Sequence, residues 1–308
     1  MLEEMRSRLE TSLSGITLKT PVLAASGTFG YGVEFREMVD LACLGGIVVK
    51  GLSREPMDGN PPPRLFETGA GMLNSIGLQN IGVRAFVRDK LPELRELGAT
   101  VFANVFGYAV EDYVEVARVL EDAEGVSGYE LNVSCPNTKH GGMYFSSDPT
   151  LLSEVVSAVK KAANRRPLIV KFSPNVARIE PLARAAADAG ADAISLINTF
   201  VALAVDPHTR RARLGAGFGG LSGTGIKPVA LRMVYEAARA VAIPVIGLGG
   251  IASGEDAAEF LIAGASAVQV GTANFWDPQA PARIAGELNR FLEQHNVRAS
   301  DLVGTLKL

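Results

Sequence analysis

The chain of 308 residues has few of the side chains that define several protein classes. Its two cysteines cannot supply a four-cysteine iron–sulfur cluster, and they form no plausible framework of disulfides, which agrees with a reducing compartment. The three histidines, His140, His208 and His295, lie in loop or tail segments without the spacing of metal ligands. We therefore expect no metal site in this chain.

Strong charge and long apolar runs are missing as well. The net charge of -3, with both signs interspersed, gives no basic footprint for a nucleic acid. No apolar run reaches the roughly 18 residues of a membrane helix, and the first eight residues lack the apolar centre of a secretory signal. We expect a cytoplasmic protein whose residues 1–308 form one domain, because no flexible linker or change in composition divides them.

Short apolar segments alternate with amphipathic segments, which is typical of parallel strands joined by helices. The predicted strands are residues 21–25, 46–50, 101–105, 128–133, 167–172, 192–198, 244–248 and 266–271. The predicted helices are residues 111–124, 149–163, 179–189, 227–241, 255–263 and 278–294. Eight strand–helix units in about 250 residues predict a (β/α)8 barrel of the α/β class, with a doubly wound open sheet as the alternative. Connections 51–80, 134–148 and 199–225 are long enough to be lids or binding loops.

Each predicted strand ends in, or is followed by, a polar residue or glycine. In order these are Ser26, Lys50, Asn104, Asn132, Lys171, Asn198, Gly249 with Gly250, and Gly271 with Thr272. Active sites of barrels lie at the carboxyl ends of the strands, so this series predicts a site. The two glycine-containing ends, each ahead of a helical segment, suit a phosphate. Lys171 with the amides of Asn104 and Asn132 suits a flat heterocycle such as a flavin.

The two cysteines lie in contrasting surroundings. Cys135 follows the fourth predicted strand in a run of polar side chains, where a thiol can be reactive. Cys43 lies in the apolar segment Leu-Ala-Cys-Leu and is expected to be a buried structural residue. The segment Gly-Ala-Gly-Phe-Gly-Gly at 215–220 fits the dinucleotide pattern, but it follows arginines instead of a strand. We interpret it as a flexible loop.

Five distinctive segments are spread along the chain: Gly-Met-Leu-Asn-Ser-Ile-Gly-Leu-Gln-Asn at 71–80, Asn-Val-Ser-Cys-Pro-Asn at 132–137, Val-Lys-Phe-Ser-Pro-Asn at 170–175, Gly-Gly-Leu-Ser-Gly at 219–223 and Pro-Val-Ile-Gly-Leu-Gly-Gly at 244–250. Together they resemble class 1 dihydroorotate dehydrogenase, over nearly the whole chain. Segments 25–32 and 227–234 are most similar to the catalytic subunit of the NAD-linked class 1B form. Thr224 and Gly225 depart from the Pro-Ala that follows Leu-Ser-Gly in this family.

The resemblance implies an FMN-dependent oxidation of (S)-dihydroorotate to orotate in pyrimidine biosynthesis. Cys135 would remove the proton from C5 while hydride passes from C6 to flavin N5, and segment 134–148 would be a lid. The residues implied for FMN are Ser26, Lys50, Gly51, Asn104, Asn132, Lys171, Ile197, Gly223, Gly249, Gly250, Gly271 and Thr272. Those implied for substrate are Lys50, Asn74, Ser75, Ile76, Gly77, Leu78, Asn132, Asn137, Asn198 and Thr199.

The class 1B resemblance also implies a partner. A homodimer of this chain would join a subunit carrying FAD and a [2Fe-2S] cluster in a heterotetramer, and electrons would pass through that subunit to NAD+. The alternatives are a fumarate-linked class 1A enzyme and another FMN barrel acting on a dihydropyrimidine or dihydrouridine. A lyase with Lys171 as a Schiff base is a different class, and it would be colourless where a flavoprotein is yellow. A barrel used only for binding is the least favoured.

Overall fold

The computed structural model describes residues 8–133, 145 and 148–308, and a closed parallel barrel forms its centre. The barrel strands, in the order in which they neighbour one another, are β3 (Val22–Ala24), β4 (Gly46–Val48), β7 (Val101–Val105), β8 (Val126–Asn132), β9 (Leu168–Lys171), β10 (Ala193–Leu196), β15 (Val245–Leu248) and β16 (Ala267–Val270). All eight agree with predicted strands, so the (β/α)8 fold is confirmed. Most strand residues are buried, as expected for a parallel sheet covered on both faces.

Helices surround the barrel at the predicted places. They are α3 (Val110–Glu121), α4 (Pro149–Ala162), α5 (Glu180–Asp188), α6 (Lys227–Ala240), α7 (Gly254–Ala263) and α8 (Ala280–His295). Sequence analysis missed α1 (Val83–Ala85) and α2 (Leu91–Glu96), which a π-helical turn at Phe86–Lys90 joins, and the terminal α9 (Ala299–Leu302). Within the described ranges, no helix is long and apolar enough to cross a membrane.

A hairpin covers the amino-terminal end of the barrel. Its strands are β1 (Thr11–Leu13) and β2 (Ile16–Leu18), and Leu13 and Leu18 pack into a buried cluster with side chains of the barrel strands. Ser14 Oγ donates to the carbonyl of Asp192, which directly precedes β10, at 2.7 Å. Full burial of a leucine contributes about 1.5–3 kcal/mol. The hairpin therefore covers this end of the barrel with packed side chains.

Two of the connections that were predicted to be long loops form a second, antiparallel sheet. Its order is β11 (Phe200–Leu203), β14 (Phe218–Ser222), β6 (Gly71–Asn74), β5 (Leu65–Thr68), and a small ladder of β12 (Val205–Asp206) with β13 (Arg211–Ala212) lies beside it. The prediction of a flexible loop at 215–220 is wrong for residues 218–220, which belong to β14. Exposed apolar side chains such as Phe218 and Leu203 blur the alternation by which strands are recognised.

Cys43 is exposed, so the prediction of a buried structural cysteine is wrong. It ends a 3-10 turn, Leu41–Cys43, in which only Leu41 is buried. Asp40 caps this turn through the amide of Ala42, and its other carboxylate oxygen lies 2.8 Å from Cys43 Sγ. The apolar neighbours of Cys43 in sequence therefore point to a different side of the turn.

Candidate active site

A cavity of about 390 Å³ lies where the carboxyl ends of the barrel strands meet the antiparallel sheet. This volume falls in the range typical of ligand sites in proteins. All twelve residues predicted for FMN line it: Ser26, Lys50, Gly51, Asn104, Asn132, Lys171, Ile197, Gly223, Gly249, Gly250, Gly271 and Thr272. Side chains and backbone from strand ends far apart in sequence are thus brought to one place.

Most residues predicted for the substrate line the same cavity. They are Lys50, Asn74, Ile76, Gly77, Leu78, Asn132, Asn198 and Thr199. Ser75 does not: its side chain is fully buried, and its Oγ has no hydrogen-bond partner among the described residues. Side chains of successive residues in an extended segment point to opposite sides, so Asn74 faces the cavity and Ser75 faces away. Cys135, Asn137 and His140 lie outside the described residues, as does most of segment 134–148.

Lys171 is held in place by two partners. The side chain is almost fully buried, and its Nζ lies 3.1 Å from Ser26 Oγ and 3.3 Å from Glu130 Oε1. An ammonium group has three N–H donors, so one donor remains beyond these two bonds. Because Lys171 lines the cavity, this donor is available to a ligand there.

Glu130 is a residue that sequence analysis missed. It is completely buried inside the barrel, beneath the lysine. A signal was present, because Glu130 lies between apolar residues of β8 and shares the face of Asn132, two positions along the strand. Glu130 resembles Lys50 and Lys171 in this respect, because each is a charged residue beside apolar residues of a predicted strand.

Three glycines form a concave backbone surface at the other side of the cavity. Gly223, Gly249 and Gly250 have φ values of 106°, 124° and 82°, which favour glycine. A Cβ at Gly250 would lie 2.9 Å from the carbonyl oxygen of Gly223 and 2.8 Å from Lys227 Cβ. Beside them, Thr272 Oγ1 donates to Ser222 Oγ at 2.7 Å. Backbone and hydroxyl groups can approach a phosphate closely here.

The helices after these glycines contribute less than the sequence suggested. The first amides of α7 are already bonded: those of Ala252 and Ser253 donate to Asp256 Oδ2, and that of Gly254 donates to Glu287. After Gly271 comes only a four-residue 3-10 helix, Thr272–Phe275. The prediction that the two glycine-containing strand ends suit a phosphate therefore rests on the glycine backbone more than on the helices that follow it.

Asparagine side chains orient one another on the opposite wall. Asn198 Nδ2 lies 3.4 Å from Asn132 Oδ1, and Asn198 Oδ1 accepts from the amide of Thr199 at 2.9 Å. The hydroxyl of Tyr113 donates to the carbonyl of Asn132 at 3.0 Å. Each amide presents a donor and an acceptor, so the wall can bind a ring with alternating carbonyl and N–H groups.

The antiparallel sheet, the loops beside it and the 3-10 helix after β16 supply cavity residues that sequence analysis did not propose. Among them are Arg64, Leu65, Met72, Gln79, Gly220, Ser222, Thr224, Phe275 and Trp276. The departure at Thr224 and Gly225 has a local explanation, because Thr224 Oγ1 donates to the carbonyl of Ala70 and a Cβ at Gly225 would lie only 3.2 Å from Ala70 Cβ. The amide of Gly225 donates to the same carbonyl. These two residues therefore fix the end of β14 to the turn between β5 and β6.

Across the described residues, no group of three acidic, cysteine or histidine side chains is placed to hold a metal ion.

Comparison with known proteins identifies the family. The family model for dihydroorotate dehydrogenase matches residues 8–292. A Solibacter usitatus protein with the provisional name dihydroorotate dehydrogenase A (fumarate) is 71% identical, over 98% of this chain and 100% of that protein. Two relatives are named dihydroorotate dehydrogenase B (NAD(+)), catalytic subunit. That of Citrifermentans bemidjiense is 52% identical over 98% of this chain and 99% of its own length. That of Maridesulfovibrio salexigens is 53% identical over 96% and 97%. The chain therefore belongs to the dihydroorotate dehydrogenase family of oxidoreductases.

Proposed function

We propose that this chain is the FMN-binding catalytic subunit of a class 1B dihydroorotate dehydrogenase, which oxidises (S)-dihydroorotate to orotate in pyrimidine biosynthesis. The observation that carries the proposal is the single cavity in which Lys50, Lys171, paired asparagines and a glycine backbone surface converge. We further propose that residues 1–308 form one domain that acts in the cytoplasm.

The donor set fits FMN. Gly249, Gly250 and Thr272 would hold the phosphate through backbone amides and a hydroxyl. Gly250 tolerates no side chain, because a Cβ there would lie 2.9 Å from the carbonyl oxygen of Gly223. Lys171 would bond the pyrimidine end of the ring system and favour the anionic reduced form. Asn104 would hold the ring from the same side of the cavity. When bound, FMN accepts the hydride that leaves C6 of the substrate.

The substrate would lie against the lysine and asparagine side chains. Dihydroorotate carries a carboxylate, which suits the ammonium of Lys50. Its ring has alternating carbonyl and N–H groups, which suit the amides of Asn74, Asn132 and Asn198. Asn137 and Ser75 were also expected to contact it, but Ser75 faces away from the cavity. We therefore retain the other substrate residues and drop the side chain of Ser75.

Cys135 would act as the base that removes the C5 proton. In sequence it lies three residues after the end of β8 at Asn132, and a partly ionised thiol is a suitable acceptor near neutral pH. A positioned base contributes about 10²–10⁴ in rate. We expect Cys135→Ala to retain FMN and to reduce it with dihydroorotate about 10²–10⁴ times more slowly in a single turnover. An unchanged rate would show that another group is the base.

The function is tested by anaerobic titration of the purified chain with dihydroorotate while the flavin absorbance is followed. The expected result is a yellow protein that bleaches as substrate is added, with orotate as product. A colourless protein would contradict the proposal that the chain binds FMN. A yellow protein that dihydroorotate does not bleach would support FMN as the cofactor but contradict dihydroorotate as the substrate. The same titration with dihydrouracil would then test another dihydropyrimidine as the substrate.

The physiological acceptor is the second point to decide. The class 1B proposal rests on the relatives named as NAD(+) catalytic subunits and on the two cysteines, too few for a [2Fe-2S] cluster here. It requires a partner subunit with FAD and that cluster. The name of the 71% identical relative favours fumarate instead. Efficient turnover of the purified chain with fumarate would support class 1A, and co-purification of an iron–sulfur flavoprotein that restores NAD+ reduction would support class 1B.

A further inference from the structure

Glu130 has a chemical setting that the proposed reaction does not use. Its side chain is completely buried, and both carboxylate oxygens accept two hydrogen bonds each. Oε1 accepts from Asn104 Nδ2 at 2.8 Å and from Lys171 Nζ at 3.3 Å. Oε2 accepts from Gln269 Nε2 at 2.6 Å and from Ser195 Oγ at 2.9 Å. A carboxylate is an acceptor-only group, so the ionised form matches these four donors.

The cluster is connected to the cavity from one side only. Lys171 and Asn104, the partners of Oε1, line the cavity, whereas Ser195 and Gln269, the partners of Oε2, are fully buried and do not. Glu130 therefore lies behind the two residues that would face the flavin ring. In a poorly solvated interior, its charge acts on that ring with little screening.

We propose that Glu130 is a positioning residue that anchors Lys171 and offsets its positive charge, which limits how strongly the site favours reduced FMN. This inference rests on the proposed binding of FMN. Reduced FMN is anionic and oxidised FMN has a neutral ring, so a net positive cluster would bind the reduced form more tightly. With both residues charged, the cluster is neutral overall. An enzyme that must pass electrons on benefits from a flavin that is not held too strongly in its reduced state.

The first test is Glu130→Gln, which removes the charge and keeps an acceptor oxygen for Lys171. Gln269 Oε1 has no partner within the described part of the chain, so rotation of that amide can accept from the new side-chain N–H. The variant is therefore expected to fold. Removing one buried charge should raise the affinity for reduced relative to oxidised FMN by about tenfold, a shift of about +30 mV in the two-electron midpoint potential.

Ser195→Ala is the matched control. It removes one hydrogen bond from the same carboxylate but leaves its charge and Lys171 untouched. The midpoint potential should then change by the equivalent of less than about twofold in relative affinity. If Glu130 served only packing or hydrogen bonding, the two variants would shift the potential alike. Equal shifts would therefore overturn the inference, as would an unchanged or lowered potential in Glu130→Gln.

A second pair of variants tests the same charge balance. Lys171→Gln leaves the carboxylate uncompensated and should lower the midpoint potential, and adding Glu130→Gln to it should recover at least half of that loss. No recovery would overturn the inference even if Glu130→Gln alone does not fold. If the wild-type protein binds no FMN, the proposed function is contradicted as well. If it binds FMN but the midpoint potentials of the variants do not change with the charge of the cluster, only the role of Glu130 is contradicted.

Discussion

Glu121 and Glu130 are two buried carboxylates whose hydrogen-bond partners lie on opposite sides of strand β8. Glu121, at the end of α3, accepts from the hydroxyl of Tyr129, from the backbone amides of Asn164 and Arg165, and from the guanidinium of Arg166. None of these partners lines the cavity. Glu130 points inward, and two of its partners do line it.

The difference follows from the geometry of one strand. Tyr129 and Glu130 are consecutive in β8, so their side chains point to opposite faces. Tyr129 points to the helices, where burial and the hydrogen bond to Glu121 raise the pKa of its hydroxyl. Burial alone would raise the pKa of Glu121, but hydrogen bonds from Tyr129 and Arg165 hold it below its ordinary value. Similar buried carboxylates thus serve the framework on one face and the cavity on the other.

The largest effect on stability is expected from the framework carboxylate. Glu121→Ala should lower the free energy of unfolding by about 3–4 kcal/mol, because it leaves the buried hydroxyl of Tyr129 and the backbone amides of Asn164 and Arg165 without their acceptor. Urea unfolding measures the loss. Flavin content and turnover per folded molecule should stay near the wild-type values. A variant that is stable but inactive would show that Glu121 acts on the cavity and not on the stability of the framework.

The glycine surface provides a sharper comparison, because one of its glycines has the same φ as a glycine elsewhere in the chain. Gly250 and Gly217 both have a φ of 82°, but a Cβ at Gly217 would meet nothing within 4 Å. Gly250→Ala should cost about 2–3 kcal/mol and raise the dissociation constant for FMN at least about tenfold. Gly217→Ala should cost about 1–2 kcal/mol and leave FMN binding unchanged. Equal effects of the two substitutions on FMN affinity would show that the phosphate does not bind at the glycine surface.

Acid should act through the carboxylate that begins α7. Burial would raise the pKa of Asp256, but hydrogen bonds from Lys227 and the amide of Ala252 lower it below its ordinary value. Because the folded-state pKa is the lower one, this stabilisation is present above about pH 4 and is lost as the pH falls through the folded-state pKa. Asp256→Asn should cost about 1–2 kcal/mol at pH 7 and flatten the decline of stability in acid. Urea unfolding from pH 7 to pH 3 measures both, and an unchanged slope would contradict the assignment.

The smallest effect is expected for an ion pair on the surface. Arg232 and Glu236 lie one turn apart on α6, and their charged atoms are 2.8 Å apart. Such exposed pairs contribute about 0.2–0.5 kcal/mol. Arg232→Ala should change the urea midpoint hardly at all, and the remaining shift should vanish in 1 M salt. A loss of unfolding free energy as large as that of Glu121→Ala would show that an exposed ion pair contributes as much as the buried contacts of Glu121.

Sequence periodicity was sufficient to predict the barrel and the strand-end residues of its cavity, whereas Gly51, Ile197, Gly223 and the cavity residues of segment 74–78 were implied by the family resemblance. Strand ends such as Lys50 and Lys171 stand out because charged groups interrupt apolar runs, and barrel topology gathers them on one rim. The antiparallel sheet was missed because its strands are short and half exposed, so residues such as Arg64 and Ser222 could not be placed. Contacts between distant segments, such as that of Glu130 with Gln269, leave no pattern in the local sequence.

One rim of the barrel is proposed to hold both cofactor and substrate. A crystal structure of the purified protein soaked with orotate tests this proposal most directly. We predict FMN density with its phosphate against Gly249 and Gly250 and its ring beside Lys171, and orotate between that ring and Lys50. Density for either molecule outside this cavity, or a phosphate away from the glycine surface, would contradict the claim.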